Sequence, residues 1–284
     1  MSIDRYQAED RAAVEAILAE ADAYTRQDLL YCLDEFSGCA FVLRDDGALA
    51  GVSVFTGAER LSSMSFLIAP PFRGRGLGTQ LLAFTLEQMR EAGVCEVFCD
   101  YQAGDARRAF MESRGFTLHF QSRLMSRETG AFLRNPAIVP YTDGDYERAA
   151  SIAHEAFHRM RVGAGIQGST LDEPSEEERR AWAASAPDRF VWRSGETIVA
   201  MLRLEEDEIA TVAVDVALQG RGYGRQMVRF ALDELHRRGH ARAVLWCVEG
   251  NPARQLYEEL GFVTKRLHDF MRLSFESPTS GAEA

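Results

Sequence analysis

Lysine is nearly absent from this chain. Lys265 stands alone, and arginine supplies the rest of the 32 basic residues. That imbalance reflects codon usage and points to no function. An excess of positive charge is missing too. The formal net charge is −11, which argues against a nucleic-acid backbone as partner. No apolar run approaches the roughly 18 residues that span a bilayer. The first residues, MSIDRYQAEDRAAVEAILAEAD, are acidic and amphipathic, unlike a signal peptide. The expectation is a cytoplasmic protein with no membrane partner, as a monomer or homodimer. Cysteine is sparse: Cys32, Cys39, Cys95, Cys99 and Cys247. The number is odd and no zinc-ligand spacing such as C-x-x-C occurs, so buried free thiols are expected.

What the chain does contain is itself, twice. At 284 residues it suits two domains of about 140 residues each. RGRGLG at Arg73–Gly78 recurs as QGRGYG at Gln219–Gly224, 146 residues later. The same offset carries Leu82, Leu86 and Met89 onto Val228, Leu232 and Leu235, each trio on one helix face. It carries Gly93 onto Gly239, a C-terminal cap for each helix, and Gly115-Phe116 onto Gly261-Phe262. The two starts, from Ser2 and from Ala137, also match, but at a shorter offset. About ten extra residues therefore lie within the second copy, in the segment from Arg161 to Trp182. Each copy reads β-α-α-β-β-β-α-β-α-β, and this reading leaves the strand order open. The expected domains are 1–130 and 136–276, with a linker near Ser126–Asn135 and a disordered tail over 277–284.

Strand, glycine-rich turn and helix together form an anion cradle. Glycine lets the backbone come close, and the helix N-terminus adds a positive dipole end. The expected strands are Met64–Ala69 and Ile209–Val214, with helices following Gly78 and Gly224. The ligand this predicts carries a pyrophosphate. A dinucleotide fingerprint needs G-x-G-x-x-G early in its unit, whereas these turns read G-x-G-x-G and lie deep in each copy. A Walker A loop needs G-K-[ST], which is absent.

Both turns match the [RQ]-x-x-G-x-[GA] acetyl-CoA signature, and Asn251–Phe262, NPARQLYEELGF, looks like a second hallmark. On these motifs the chain resembles the GNAT superfamily of acetyltransferases. The resemblance covers Glu208–Phe262 and, more loosely, Ser62–Phe116. It implies an α/β (α+β) fold: two tandem GNAT domains, each a mixed central sheet flanked by helices. It implies acetyl-CoA as the acyl donor and an amine, small-molecule or peptide, as acceptor. It places coenzyme A on Gln219, Gly220, Arg221, Gly222, Tyr223, Gly224 and Arg225, with Val214, Val216 and Asn251 along the pantetheine arm. The N-terminal counterpart is a possible second coenzyme site on Ile68, Arg73, Gly74, Arg75, Gly76, Leu77 and Gly78.

Acetyl transfer from a thioester to an amine needs a neutral nitrogen, a donor to the oxyanion and a proton for the departing thiolate. The resemblance implicates Tyr257 as the acid that protonates the thiolate. It implicates Glu208, eleven residues before Gln219, as the general base. At the 146-residue offset these become Met111 and Ser62, and Asn251 becomes Asp105. Methionine donates no proton and serine is a poor base. The N-terminal copy is therefore expected to be degenerate, with chemistry in the C-terminal copy. A coenzyme-binding scaffold or regulatory protein without turnover is the alternative.

One motif competes. His154-Glu155-Ala156-Phe157-His158 is an H-E-x-x-H match, which on a helix would set two zinc ligands on one face with a glutamate base. A zinc metallohydrolase is the distant alternative, although no metal is expected. Trp182 and Trp192 read as core. The acids Asp172, Glu173 and Glu176–Glu178 would either attract a cationic acceptor or form a solvated helix face.

Overall fold

A computed structural model of the chain describes residues 1–104 and 106–275. Asp105 and the tail expected over 277–284 lie outside the described residues. The elements run β1 (Ser2–Arg5), α1 (Arg11–Leu18), α2 (Ala23–Glu35), β2 (Ala40–Asp45), β3 (Ala48–Phe55), β4 (Leu61–Ile68), α3 (Leu77–Glu91), β5 (Glu96–Gln102), α4 (Arg107–Glu112) and β6 (Thr117–Glu128). They continue β7 (Ile138–Pro140), α5 (Tyr146–Gly163), α6 (Glu176–Ala184), β8 (Arg189–Ser194), β9 (Thr197–Glu205), β10 (Glu208–Val214), α7 (Tyr223–Arg237), β11 (Arg242–Val248), α8 (Ala253–Glu259) and β12 (Val263–Ser274).

Contacts group the chain into two units. One is Met1–His119 with the segment that begins at Asp269, and the other is Phe120–His268. This division differs from 1–130 and 136–276. The residues Ser122–Glu128 of β6 pair antiparallel with Val248–Arg242 of β11, inside the second unit. The expected linker from Ser126 thus begins three residues inside a strand. The unit change after His119 falls inside β6, where no Gly or Pro marks it.

Each unit holds a mixed sheet. In the first, β1, β2, β3 and β4 pair antiparallel and β4 pairs parallel with β5. In the second, β7, β8, β9 and β10 pair antiparallel and β10 pairs parallel with β11. The parallel step requires a long crossover, which α3 and α7 supply. Each of these helices has 15 residues, and they begin 146 residues apart. The buried face of α7 is Met227, Val228, Ala231, Leu232 and Leu235; that of α3 includes Leu81, Leu82 and Met89, with Leu86 half-buried. Both helices start earlier than the glycine pattern suggests, at Leu77 and Tyr223, capped by Gly76 and Gly222 in the left-handed region.

The entry to each unit is built alike. Gln7 and Thr142 donate their backbone N–H to Asp10 and Asp145, at 2.9 and 2.8 Å. Each of these buried aspartates also pairs with an arginine, Arg44 or Arg193. The pairing satisfies a carboxylate that burial would otherwise penalise. All five cysteines are free; Cys32, Cys99 and Cys247 are buried, whereas Cys39 and Cys95 are partly exposed. Among the described residues no helix is long and apolar enough to cross a membrane.

Candidate active site

In the second unit β10 and β11 part almost at once. Their register runs only through Glu208↔Val244, while β10 stays paired with β9 as far as Val214. A register shift between Ile209 and Thr211 marks a bulge beside the opening. Bulges bend a strand and increase its twist. Beyond Glu208, β10 therefore offers an edge that β11 does not cover. The first unit repeats the opening: β4 and β5 pair at Leu61–Ser63 and then separate.

The glycine turn follows the free edge. Asp215 N–H donates to the Val199 carbonyl at 2.9 Å, and Val216–Leu218 form one 3-10 turn. The Gln219 side-chain amide donates back to the Val214 carbonyl at 3.2 Å. Gly220 and Gly222 follow with φ of 77° and 88°, values that L side chains adopt at a cost of roughly 1–2 kcal/mol. A Cβ on either would meet open space, so backbone conformation alone demands glycine. Helix α7 then begins. Gln226 is the first residue whose N–H bonds back into the helix, to the Gly222 carbonyl. The N–H groups of Tyr223, Gly224 and Arg225 are the orphan donors of the first turn, at the positive end of the helix dipole.

The remaining site residues divide between core and surface. Val214, Tyr223 and Tyr257 are partly buried against the same core cluster, and Tyr223 meets Trp192 edge to face at 4.7 Å. Gly224 packs against Leu256 and Val214, where a Cβ would stand 3.5 and 3.8 Å from their side chains. Arg221 is exposed, and Arg225 is committed to an ion pair with Glu259. Asn251 accepts the Ala253 N–H at 2.9 Å through its side-chain carbonyl, ordering the start of α8.

Tyr257 lies on α8 and meets Phe262 edge to face. Its hydroxyl makes no hydrogen bond to any described residue. Burial, with the Cys247 thiol nearby, holds its pKa well above the ordinary phenol value. It is thus a phenol that keeps its proton until a stronger base arrives. Glu208 is half-buried, and its carboxyl pKa is raised first by burial and then by Glu205, with Asp207 adding and Arg203 opposing. A raised carboxyl is a better proton acceptor near neutrality.

A model of the acetyltransferase (GNAT) family matches residues 5–116 and again 152–262. The chain belongs to that family. It is similar to a mycothiol acetyltransferase of Thermobispora bispora, 28% identical, with 87% of this chain and 92% of that protein covered. Another, from a Nocardioides species, is 28% identical over 75% of this chain and 79% of its own. In fold it resembles a GCN5-related N-acetyltransferase from Sphaerobacter thermophilus, TM-score 0.73 at 20% identity, covering 96% and 95% of the two chains. It also resembles a tandem GNAT protein from the clavulanic acid biosynthesis pathway, TM-score 0.63 at 13% identity over 97% and 99%.

The N-terminal unit of this acetyltransferase keeps the turn but not the two chemical groups. Arg73 donates from Nε to the Ile68 carbonyl at 2.9 Å, the counterpart of Gln219 on Val214. Ile68, Arg73, Gly74, Gly76 and Gly78 line a cavity of about 660 Å³. Arg75 turns away to pair with Asp45 at 2.6 Å, and Leu77 is buried in the core. Met111 and Ser62 are both 1% exposed. Sequence reasoning about this unit missed Asp28, Asp100 and Tyr24. They lie near the parting of β4 and β5; Tyr24 and Asp28 come from α2 and Asp100 from β5, and no motif links the two elements.

The H-E-x-x-H motif falls on α5, and the zinc reading fails on its geometry. His154 Nε2 lies 2.9 Å from a Glu178 carboxylate oxygen and Nδ1 lies 2.9 Å from the Asp172 carbonyl. Each ring nitrogen thus faces a protein oxygen in place of an open coordination position. His158 Nδ1 meets Ser169 Oγ at 3.2 Å. Among the described residues no group of three His, Cys, Asp or Glu is placed to hold a metal ion. The two histidines instead tie the inserted segment to α5. Glu178 turns inward and also accepts the Tyr146 hydroxyl at 2.7 Å and the Trp182 indole at 3.2 Å. It is therefore a half-buried acid held against the core, whereas Glu176 and Glu177 are exposed. The insertion also approaches the site: a Cβ on Gly250, beside Asn251, would stand 3.2 Å from Ala164.

Proposed function

We propose that the chain transfers an acetyl group from acetyl-CoA to a small-molecule amine, with chemistry in the C-terminal unit. The observation that carries this reading is the uncovered edge of β10 running into a left-handed glycine turn and the first turn of α7. The backbone donors of Gly220–Arg225 would hold the pyrophosphate, and Gln219 keeps the turn closed on Val214. The uncovered edge ending at Val214 would pair with the pantetheine amides as an added strand does, with Val216 in the 3-10 turn just beyond it. Acetyl-CoA supplies an activated acyl carbon when bound. Glu208 would take the proton from the amine, by itself or through water. Tyr257 would give its proton to the departing thiolate. Direct attack needs no acyl-enzyme, provided amine and thioester are held together. The relatives' name, mycothiol acetyltransferase, supports a small-molecule acceptor, and the insertion from Arg161 to Trp182 would form part of its entrance. The N-terminal turn would hold a second coenzyme A.

The test is release of free thiol from acetyl-CoA across a panel of primary amines, with binding measured by calorimetry. Amine-dependent thiol release is expected. Tight acetyl-CoA binding without release for any amine would leave a coenzyme-binding scaffold in its place.

A further inference from the structure

The loss of counterparts to Tyr257 and Glu208 does not empty the N-terminal unit of chemistry. Its cavity of about 660 Å³ extends past the glycine turn. Thr25, Phe66 and Arg107 line this cavity and also a smaller chamber of about 30 Å³. Met64, Ser65 and Phe66 wall that chamber on one side, and Cys99, Asp100 and Tyr101 on the other. These are the residues that follow the last β4–β5 pair, Ser63↔Phe98. The chamber is thus the wedge between the parted strands, and Tyr24, Thr25 and Asp28 of α2 close it. Its size suits a group of roughly acetyl dimensions.

The wedge holds polar groups that packing does not require. The Asp28 carboxylate accepts the Ser65 hydroxyl, and the Cys32 thiol lies 4.0 Å from its other oxygen. Asp100 accepts the Tyr24 hydroxyl at 2.8 Å. Arg73, Arg107 and Arg114 line the larger cavity, cations that suit a site for an anion. Burial, with Asp100 adding, raises the Asp28 pKa, the direction expected of a general base.

We infer that the N-terminal unit is a second acetyl-transfer centre: acetyl-CoA fills the larger cavity, its acetyl group enters the wedge, and Asp28 is the base for a primary amine. The inference rests on acetyl-CoA being the donor. The amine nitrogen attacks the thioester carbon, so a C–N bond forms as the C–S bond breaks. The proton lost by nitrogen passes to the Asp28 carboxylate and from there to the thiolate, so the products are an amide and free coenzyme A. The small wedge restricts the acyl group to about two carbons.

The test uses the full chain with Tyr257→Phe and Glu208→Gln combined to weaken the C-terminal centre, and adds Asp28→Asn or Gly76→Val. Thiol release is followed with acetyl-CoA and butyryl-CoA over a panel of primary amines, and acetyl-CoA stoichiometry by calorimetry. The double variant should still turn over at least one amine, with acetyl-CoA preferred over butyryl-CoA. Asp28→Asn should lower that residual rate about 100-fold or more while two acetyl-CoA still bind per chain. Gly76→Val should remove the same rate and one bound acetyl-CoA. A residual rate insensitive to Asp28→Asn overturns the inference. So does a double variant without turnover beside an active wild type, which leaves the C-terminal reading intact. A wild type inactive toward every amine overturns both.

Discussion

The side-chain amide of Gln219 donates to the backbone carbonyl of Val214 at 3.2 Å, closing the turn between strand and helix. Arg73 does the same to Ile68 at 2.9 Å. The first residue of the [RQ]-x-x-G-x-[GA] signature thus has a structural task besides any contact with ligand. Gln219→Ala removes one hydrogen bond, worth about 1 kcal/mol. KM for acetyl-CoA should rise roughly fivefold, with kcat changing less. Steady-state kinetics with acetyl-CoA as the varied substrate checks this. An unchanged KM would mean the turn closes without the amide.

Tyr257 has no hydrogen bond to lose, so Tyr257→Phe should leave the melting temperature nearly unchanged. Its effect belongs to kcat, with a fall of roughly 10- to 10⁴-fold if the phenol supplies the thiolate proton. Met111→Leu, at the equivalent buried position, should leave C-terminal turnover as it is. A Tyr257→Phe enzyme with wild-type kcat would remove the acid assignment.

Glu208 predicts a pH effect with a definite sign. Burial and the neighbouring acids raise its pKa, so the base is active only above a point displaced upward from the usual carboxylate range. The acid limb of kcat/KM should be displaced in the same direction, and Glu208→Gln should abolish that limb along with most of the rate. A group with a raised native pKa binds its proton more tightly when folded, so it costs stability once the pH passes that point. Glu208→Gln should therefore be no less stable than wild type at neutral pH. Thermal melts and pH–rate profiles test the two halves separately.

The histidine pair makes a stability prediction. His154→Ala removes one contact to Glu178 and one to Asp172, so the insertion loses two ties to α5. Limited proteolysis within residues 164–175 should accelerate, and stability should fall by about 1–3 kcal/mol. Chelator should leave thiol release unchanged, because both His154 nitrogens are already engaged. Loss of activity in chelator, restored by zinc, would reverse that assignment.

Arg108 donates from Nε to Asp269 at 2.6 Å, and Asp269 is fully buried. Removing the cation takes a charged partner from an interior carboxylate. Arg108→Ala should cost about 3–5 kcal/mol, whereas Arg108→Ala with Asp269→Asn should recover part of it. Denaturant melts of the single and double variants read this directly.

Local pattern made much of the fold legible. The repeat, the glycine turns and the α3 and α7 faces stood in the sequence because each depends on residues a few positions apart. The unit boundary did not. A strand such as β6 keeps the same alternating pattern whichever sheet receives it. The H-E-x-x-H spacing gave the shared helix face correctly but not its partners, since Glu178 and Asp172 arrive from a segment whose path the helix pattern does not encode.

By itself the sequence determined that two copies of one strand–turn–helix cradle exist, because positive φ at Gly220 and Gly222 and the periodic apolar faces are local demands. Only the tertiary structure decided which chemical groups meet at each parted pair of strands. Asp28, Ser65, Asp100 and Tyr24 become neighbours through packing of α2 against β4 and β5, and contacts between distant elements leave no periodic trace along the chain.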